Sequence, residues 1–399
     1  MDKKENLINL NLKNLGTESA FLILAKGEEL KKQGKDIINL GIGQPDFPTP
    51  NHISEAAIKA IKDGKHGYTN ARGILELRET VAKHIYNFKN AIVDPTNIII
   101  VPGGKITMWH AILMFGGKDK EIVFPNPGFP IYESLINYSG AKPVPYKLSI
   151  DNNFEIEIDK LSDLITSKTS LIIFNSPSNP NGSLISKKDM DNIVSILEKN
   201  QHVNILSDEI YSRIVYDKNK YTSFLTYPQL RDRVIILDGW SKTYAMTGWR
   251  IGYGVWPESL TPIAERMNIN SFSCTNTPTQ YAAVAALEGP QSYVDFMVNH
   301  FNKRRKLIHE KLNEIEGFEC NISKGAFYSM PSIKKTGLKS NKVQDLLLYK
   351  LGITTVSGKS FGSYGEGYIR LSYANSEENI KKAIKRIKDF SETIGWNNA

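Results

Sequence analysis

Short β-rich runs alternating with helix-length amphipathic segments dominate the middle of this chain. NIIIV, EIVFP, KPVPY, SLIIF, VNILS, RVIIL and RIGYGV are each bounded by turn residues, and most are separated by longer stretches such as KKDMDNIVSILEKN. Apolar runs of this length fit buried strands, and the segments between them fit helices with one apolar face. Parallel strands need a crossover between them, so the alternation predicts an α/β fold: a mainly parallel sheet covered by helices on both faces. At 399 residues the chain suits one large domain plus a smaller one. After LEGPQ a charged and apolar helical pattern runs from about Ser292 to Glu316 and is expected to bridge the two. From KGAFYSM to the end, strands and helices mix in a smaller α+β pattern, which the early helix SAFLILAKGEELKKQG is expected to join. No internal repeat or low-complexity linker interrupts this plan.

Charge and cysteine usage narrow the functional classes. The net charge is +8, but the excess is mostly lysine spread along helical stretches such as KKAIKRIKDF and NKRRKLIHEKL. Such runs read as solvated helix faces, and no nucleic-acid partner is expected. Two cysteines, Cys274 and Cys320, make no disulfide framework and suit a reducing compartment. MDKKENLINL lacks the apolar core and small-residue cleavage site of a leader, and no apolar run reaches membrane-spanning length. A cytoplasmic protein without a membrane partner is the expectation.

Open parallel sheets leave a crevice outside the carboxyl ends of their strands, and ligands bind there. Polar motifs fall at that edge: VPGGK follows NIII, NSPSNPNG follows SLIIF, DEIY follows VNILS and GWSK follows RVIILD. Any one of these could be a plain turn; four together carry complementary chemistry. Two common nucleotide motifs fail. GIGQPD has Asp46 where a dinucleotide fingerprint needs its third glycine, and GGK at Gly103 to Lys105 lacks the remaining residues of an ATPase phosphate loop. What remains is a glycine pair opening the helix KITMWHAILMFGG, where free amides and the helix dipole attract phosphate.

In this setting SKTYAMTGWRIGYG closely resembles the active-site signature of class I aminotransferases, the fold-type-I enzymes that use pyridoxal 5'-phosphate. The resemblance extends from INLGIGQPDFPTP through YTNARG, NSPSNPNG and DEIY to YIRLSYA, nearly the whole chain. It implies a mainly parallel seven-stranded sheet between helices in a large domain, plus a smaller α+β domain. The expected boundaries are residues 1–46 for an arm and helix of the smaller domain, 47–290 for the large cofactor-binding domain, and 291–399 for the linking helix and the rest of the smaller one. Trp240 departs from the smaller or single-ring residue usual in the family, with local repacking the expected result.

Roles follow from the match, residue by residue. Lys242 forms a Schiff base with the cofactor aldehyde and serves as base, which requires a lysine partly desolvated or charge-shifted from its usual pKa near 10.4. Asp208 keeps the pyridine nitrogen protonated, so that the ring absorbs the electron pair left by the α-proton. Tyr211 and Asn179 hydrogen-bond the ring hydroxyl, and Phe129 stacks on the ring face; without the resemblance, Phe129 and Tyr211 would read as core aromatics. Gly103, Gly104, the Lys105 amide, Arg250 and the weaker hydroxyl candidate Ser241 share the phosphate. Tyr68, in GYTNARG, matches a tyrosine that reaches the same phosphate from a second subunit, which implies a homodimer with shared active sites. Arg370 grips the substrate α-carboxylate, with Gly43 and Asn179 assisting. No metal is implied.

The activity implied is ping-pong transfer of an amino group between an L-amino acid and a 2-oxo acid. Lys105 stands where a bacterial subgroup resembling aspartate and prephenate aminotransferases carries a lysine that contacts a distal carboxylate, which favours aspartate or glutamate. Against this, Glu18 lies in the helix that covers the site in that subgroup, where a carboxylate repels an acidic substrate or pairs with Lys105. Phe129 also replaces the tryptophan usual in aspartate-specific relatives. Broader, basic or aromatic specificity therefore stays open, as does C–S β-elimination on the same scaffold. A cofactor sensor fused to a DNA-binding module is set aside, because the forty-odd residues before GIGQPDF are too few for a winged helix. A pure interaction protein has no use for Lys242, Asp208 and Arg250 together.

Overall fold

The structure is a computed structural model and describes residues 9–396. MDKKENLI, most of the stretch read for a leader, and residues 397–399 lie outside the described part. In chain order the helices are α1 (Ser19–Lys32), α2 (Asn51–Lys62), α3 (Leu75–Lys89), α4 (Lys105–Phe115), α5 (Ile131–Ser139), α6 (Ile158–Asp163), α7 (Lys187–Lys199), α8 (Thr261–Phe272), α9 (Thr277–Glu288), α10 (Ser292–Leu312), α11 (Ser340–Tyr349) and α12 (Glu377–Thr393). The strands are β1 (Ile38–Asn39), β2 (Ile98–Val101), β3 (Glu121–Asn126), β4 (Lys142–Lys147), β5 (Thr169–Asn175), β6 (Asn204–Asp208), β7 (Val234–Gly239), β8 (Gly252–Val255), β9 (Tyr328–Ser329), β10 (Ile353–Thr354), β11 (Val356–Ser357) and β12 (Ile369–Ser372).

Seven strands form the main sheet in the order β2-β8-β7-β6-β5-β3-β4. The pairs β3 with β4, β3 with β5, β5 with β6 and β6 with β7 are parallel. β8 runs antiparallel to both β2 and β7, so its amino end lies at the same edge as their carboxyl ends. Side chains alternate across the sheet as period-two pleating requires. Ile98 and Ile100, Ile172 and Phe174, and Val234 and Ile236 enter one core, while Ile99 and Val101, Leu171 and Ile173, and Ile235 and Leu237 enter the opposite one. Each such fully buried side chain contributes about 1.5–3 kcal/mol by leaving water. A third core holds Phe301, Ile308, Leu347, Ile369 and Ile384, from α10, α11, β12 and α12.

Local signals account for the element ends. α7 starts where the Ser186 hydroxyl accepts the Asp189 amide proton, and it buries Met190, Ile193, Val194 and Leu197, the stripe of an amphipathic helix. α1 stops before Gly34, which takes φ +87°, two residues short of the span its pattern suggested. The long helix stops at Leu312 instead of Glu316. Its cap residue Asn313 folds its amide back on to the Cys320 backbone, donating to the carbonyl and accepting from the N–H, at 2.9 Å each. α1 packs against β10, with Gly27 close to Thr354, and its first turn reaches the carboxyl edge of the main sheet.

Candidate active site

Six chain segments converge at that edge. β2 ends into Gly103 and Gly104, β3 into Phe129, β5 into Asn179, β6 in Asp208, β7 into Ser241 and Lys242, and β8 begins just after Arg250. They surround a cavity of about 430 Å³ whose wall includes Gly43, Gly104, Lys105, Phe129, Asn179, Asp208, Tyr211, Ser241, Lys242, Arg250 and Arg370, with Glu18 at its mouth. Gly103 lies outside this wall, beneath Arg250. Tyr68 is outside it altogether, 91% exposed on the surface.

At the α4 end the geometry is a cradle. Gly103 takes φ +90°, and a Cβ there would come within 2.2 Å of Arg250 Nη2, so the absence of a side chain lets the guanidinium lie over the backbone. Arg250 itself sits in the left-handed region, φ 54°, and its Nη1 donates to the Thr247 carbonyl at 2.8 Å. The amides of Gly104 and Lys105 open α4, where N–H groups have no intrahelical acceptor. Free amides, a helix amino end and a guanidinium suit a phosphate.

At the opposite end Asp208 is buried. Its Oδ2 accepts from the Tyr132 hydroxyl at 2.6 Å and its Oδ1 from the Ile210 amide at 3.3 Å. Burial raises its pKa to about 6 against the lowering effect of the Tyr132 bond. Tyr211 shares a 2.7 Å hydrogen bond with the Tyr328 hydroxyl, and burial pushes its phenol well above the ordinary range, so it stays neutral.

Lys242 lies between these ends, its Nζ donating to the Gly43 carbonyl at 2.5 Å. Burial brings its pKa down to about 8; Arg370, Arg250 and Lys105 push the same way, and Glu18 opposes them. Gly43 lets its backbone approach Tyr328 closely: a Cβ there would fall 2.0 Å from the Tyr328 hydroxyl and force it to move. Arg370, on β12, is 3% exposed. It lies between the rings of Tyr328 and Phe361, with its charge centre 4.6 and 4.9 Å from their centroids. Its Nη1 donates to Asn179 Oδ1 at 2.9 Å and its Nη2 to the Gly41 carbonyl, while buried Nε has no partner among the described residues. Lys105 Nζ pairs with Glu18 at 3.0 Å and lies 5.3 Å from the centre of the Phe129 ring. Trp240 is absorbed by the core: its Nε1 donates to the Ala283 carbonyl at 3.1 Å and its ring meets Tyr253 edge-on.

Tyr132, Tyr328 and Asn175 escaped the sequence reading. Asn175 Oδ1 accepts the Asn179 amide at 2.8 Å, and its Nδ2 donates to the Asp208 carbonyl. Tyr132 carried one usable signal: it lies three residues beyond Phe129, where a helical turn returns to the same face. Tyr328 sits in KGAFYSM, far along the chain, and nothing local points to it.

A phosphate cradle, a desolvated amine and a buried carboxylate in one cavity fit pyridoxal 5'-phosphate. Comparisons with known proteins agree. The family profile described as Aminotransferase class I and II matches residues 35–387. A probable aspartate aminotransferase from Methanocaldococcus jannaschii is 40% identical over 90% of this chain and 94% of its own. A probable aspartate/prephenate aminotransferase from Rickettsia felis is 36% identical over 96% of each. Among solved structures, aspartate aminotransferase from Thermotoga maritima superposes with a TM-score of 0.90 at 30% identity, covering 97% of this chain and 100% of that one. An aromatic aminotransferase from Pyrococcus horikoshii gives 0.87 at 34%, covering 92% and 98%.

Proposed function

The chain belongs to the class I and II aminotransferases, which work with pyridoxal 5'-phosphate, and we propose that it moves amino groups between acidic L-amino acids and 2-oxo acids. The observation that carries the substrate class is Lys105. Among the described residues, four cations line the cavity. Arg250 faces the phosphate cradle, Lys242 is the reactive amine and Arg370 the α-carboxylate site, which leaves Lys105 for a side-chain carboxylate. Its present partner is Glu18, in an ion pair partly open to water and worth about 0–1 kcal/mol, so an entering carboxylate can replace it. The names of the Methanocaldococcus and Rickettsia relatives support the same class.

When bound, the cofactor supplies an aldehyde that holds the substrate nitrogen and a ring that takes up the electron pair left by the α-proton. Lys242 Nζ takes that proton, and its lowered pKa keeps a usable share of free amine near neutrality. Asp208, held in place by Tyr132, would keep the ring nitrogen protonated. Tyr211 and the Asn179 side chain would hydrogen-bond the ring hydroxyl, and Phe129 would stack on the ring. Arg250, Ser241, Gly103, Gly104 and the Lys105 amide hold the phosphate. Arg370 takes the α-carboxylate, helped by Asn179 and by the backbone of Gly43. A second copy of the chain brings the partner's Tyr68 to the phosphate, a role suited to an exposed tyrosine outside its own cavity. Free Cys274 and Cys320 suit the cytoplasm.

The test is the absorbance of the cofactor-loaded protein as single amino acids are added without any oxo acid. Loss of the bound-cofactor band with aspartate or glutamate is expected. Loss only with alanine, aromatic or basic amino acids keeps amino transfer and refutes the acidic assignment.

A further inference from the structure

Behind the cavity floor lies a charge cluster that amino transfer does not call for. Lys89, the last residue of α3, donates to Glu209 Oε2 at 2.7 Å and to Asp238 Oδ2 at 2.5 Å, and the side chains of Lys89 and Glu209 are wholly buried. Ser207 and Ser223 donate to Glu209, while Ser212 and Tyr253 donate to Asp238. Two carboxylates thus face one ammonium, leaving the cluster one negative charge in excess. Buried ions cost several kcal/mol each in desolvation, and an apolar filling of equal volume is commonly as stable or more so. Stability alone does not explain the arrangement.

Its location does. Glu209 directly follows Asp208, and its amide donates to the Leu237 carbonyl at 2.8 Å. Asp238 caps the Gly239 amide with its own carboxylate at 2.7 Å, at the start of the turn that delivers Lys242. One ammonium therefore ties together the ends of the two strands that carry the ring carboxylate and the reactive amine.

We propose that Lys89, Glu209 and Asp238 are positioning residues for the cofactor site, whose surplus negative charge sets the charge state of Asp208 in which the cofactor is captured. The proposal rests on the reading of Asp208 as the partner of the ring nitrogen. Asp238 and Glu209 both raise the Asp208 pKa, after the larger effect of burial. The other groups around the cluster keep their charge as pH falls toward 5. On α3, His84 is held near 3 by burial and by Arg213 and Lys89, so it remains neutral. Tyr221 and Tyr253 beside the carboxylates, and Tyr132 on α5, are phenols pushed well above the ordinary range by burial. Asp238 is itself held above the usual carboxylate range by burial, against the pull of Lys89.

The experiment is calorimetric titration of the full-length apo-protein with pyridoxal phosphate between pH 5 and 8, for wild type, D238N, K89M and D208N. The cofactor's own titrations are common to all four. Wild-type affinity is expected to fall as pH drops through the Asp208 titration. D238N removes a negative neighbour and moves that midpoint down; K89M removes a positive one and moves it up, separating the two by about one pH unit. A merely structural cluster weakens both variants with coincident midpoints, and that result overturns the proposal. Should K89M not fold, E209Q replaces it: D238N and E209Q are then both expected below wild type, and unmoved midpoints overturn the proposal. If D208N binds with wild-type affinity and pH dependence, the reading of Asp208 fails instead.

Discussion

Replacing Gly103 with alanine tests the phosphate cradle through a single methyl group. At φ +90° an added Cβ falls 2.2 Å from Arg250 Nη2 and 2.8 Å from its Cζ, closer than real Cβ contacts allow. The guanidinium must therefore retreat by roughly 1 Å, a displacement that alone can cost a positioned group about 100-fold. The alanine also takes on about 1–2 kcal/mol of left-handed backbone strain. One charge-assisted hydrogen bond to phosphate is worth about 1.5–3 kcal/mol, so cofactor affinity should fall about 10- to 150-fold. The assay is titration of apo-protein with pyridoxal phosphate, alongside thermal unfolding to record the strain separately. The same substitution on an Arg250→Ala background completes a double-mutant cycle. If the methyl acts through Arg250, it costs little further affinity there. Wild-type affinity in Gly103→Ala, or equal losses on both backgrounds, refutes the reasoning.

Tyr132→Phe removes the hydroxyl that lowers the Asp208 pKa, so that pKa should rise above about 6 and the acid limb of the activity profile should move to higher pH; an unmoved limb contradicts the assignment. Lys242, brought down to about 8, should capture pyridoxal phosphate at a rate that climbs with pH and levels off above that value. A stopped-flow rate still climbing through pH 10 marks an ordinary lysine. Glu18→Gln frees Lys105 and should lower KM for aspartate by about two- to five-fold, the range of an ion pair worth up to about 1 kcal/mol. A raised KM gives Glu18 a different role.

The alternation of short apolar runs with amphipathic segments determined the α/β architecture, because a period of two and a period near 3.6 bury different faces and both periods are written locally. The family resemblance, more than any local pattern, singled out Lys242, Asp208, Asn179, Phe129 and Arg250; each lies within a few residues of a run legible as a strand, and all five line one cavity. What escaped depends on packing between distant segments. That β8 runs antiparallel, so that Arg250 precedes its strand while the others follow theirs, is decided by pairing with β2 and β7. Arg370 is fixed by rings and carbonyls on separate segments, and Tyr132 reaches Asp208 across 76 residues of chain. Nothing local to Lys89 marks it; only the fold carries it 120 and 149 residues along the chain to Glu209 and Asp238, into a core where its charge must be answered. A sequence records which groups can bear charge or bury surface, whereas desolvation and the partners that offset it exist only once the strands have closed around them.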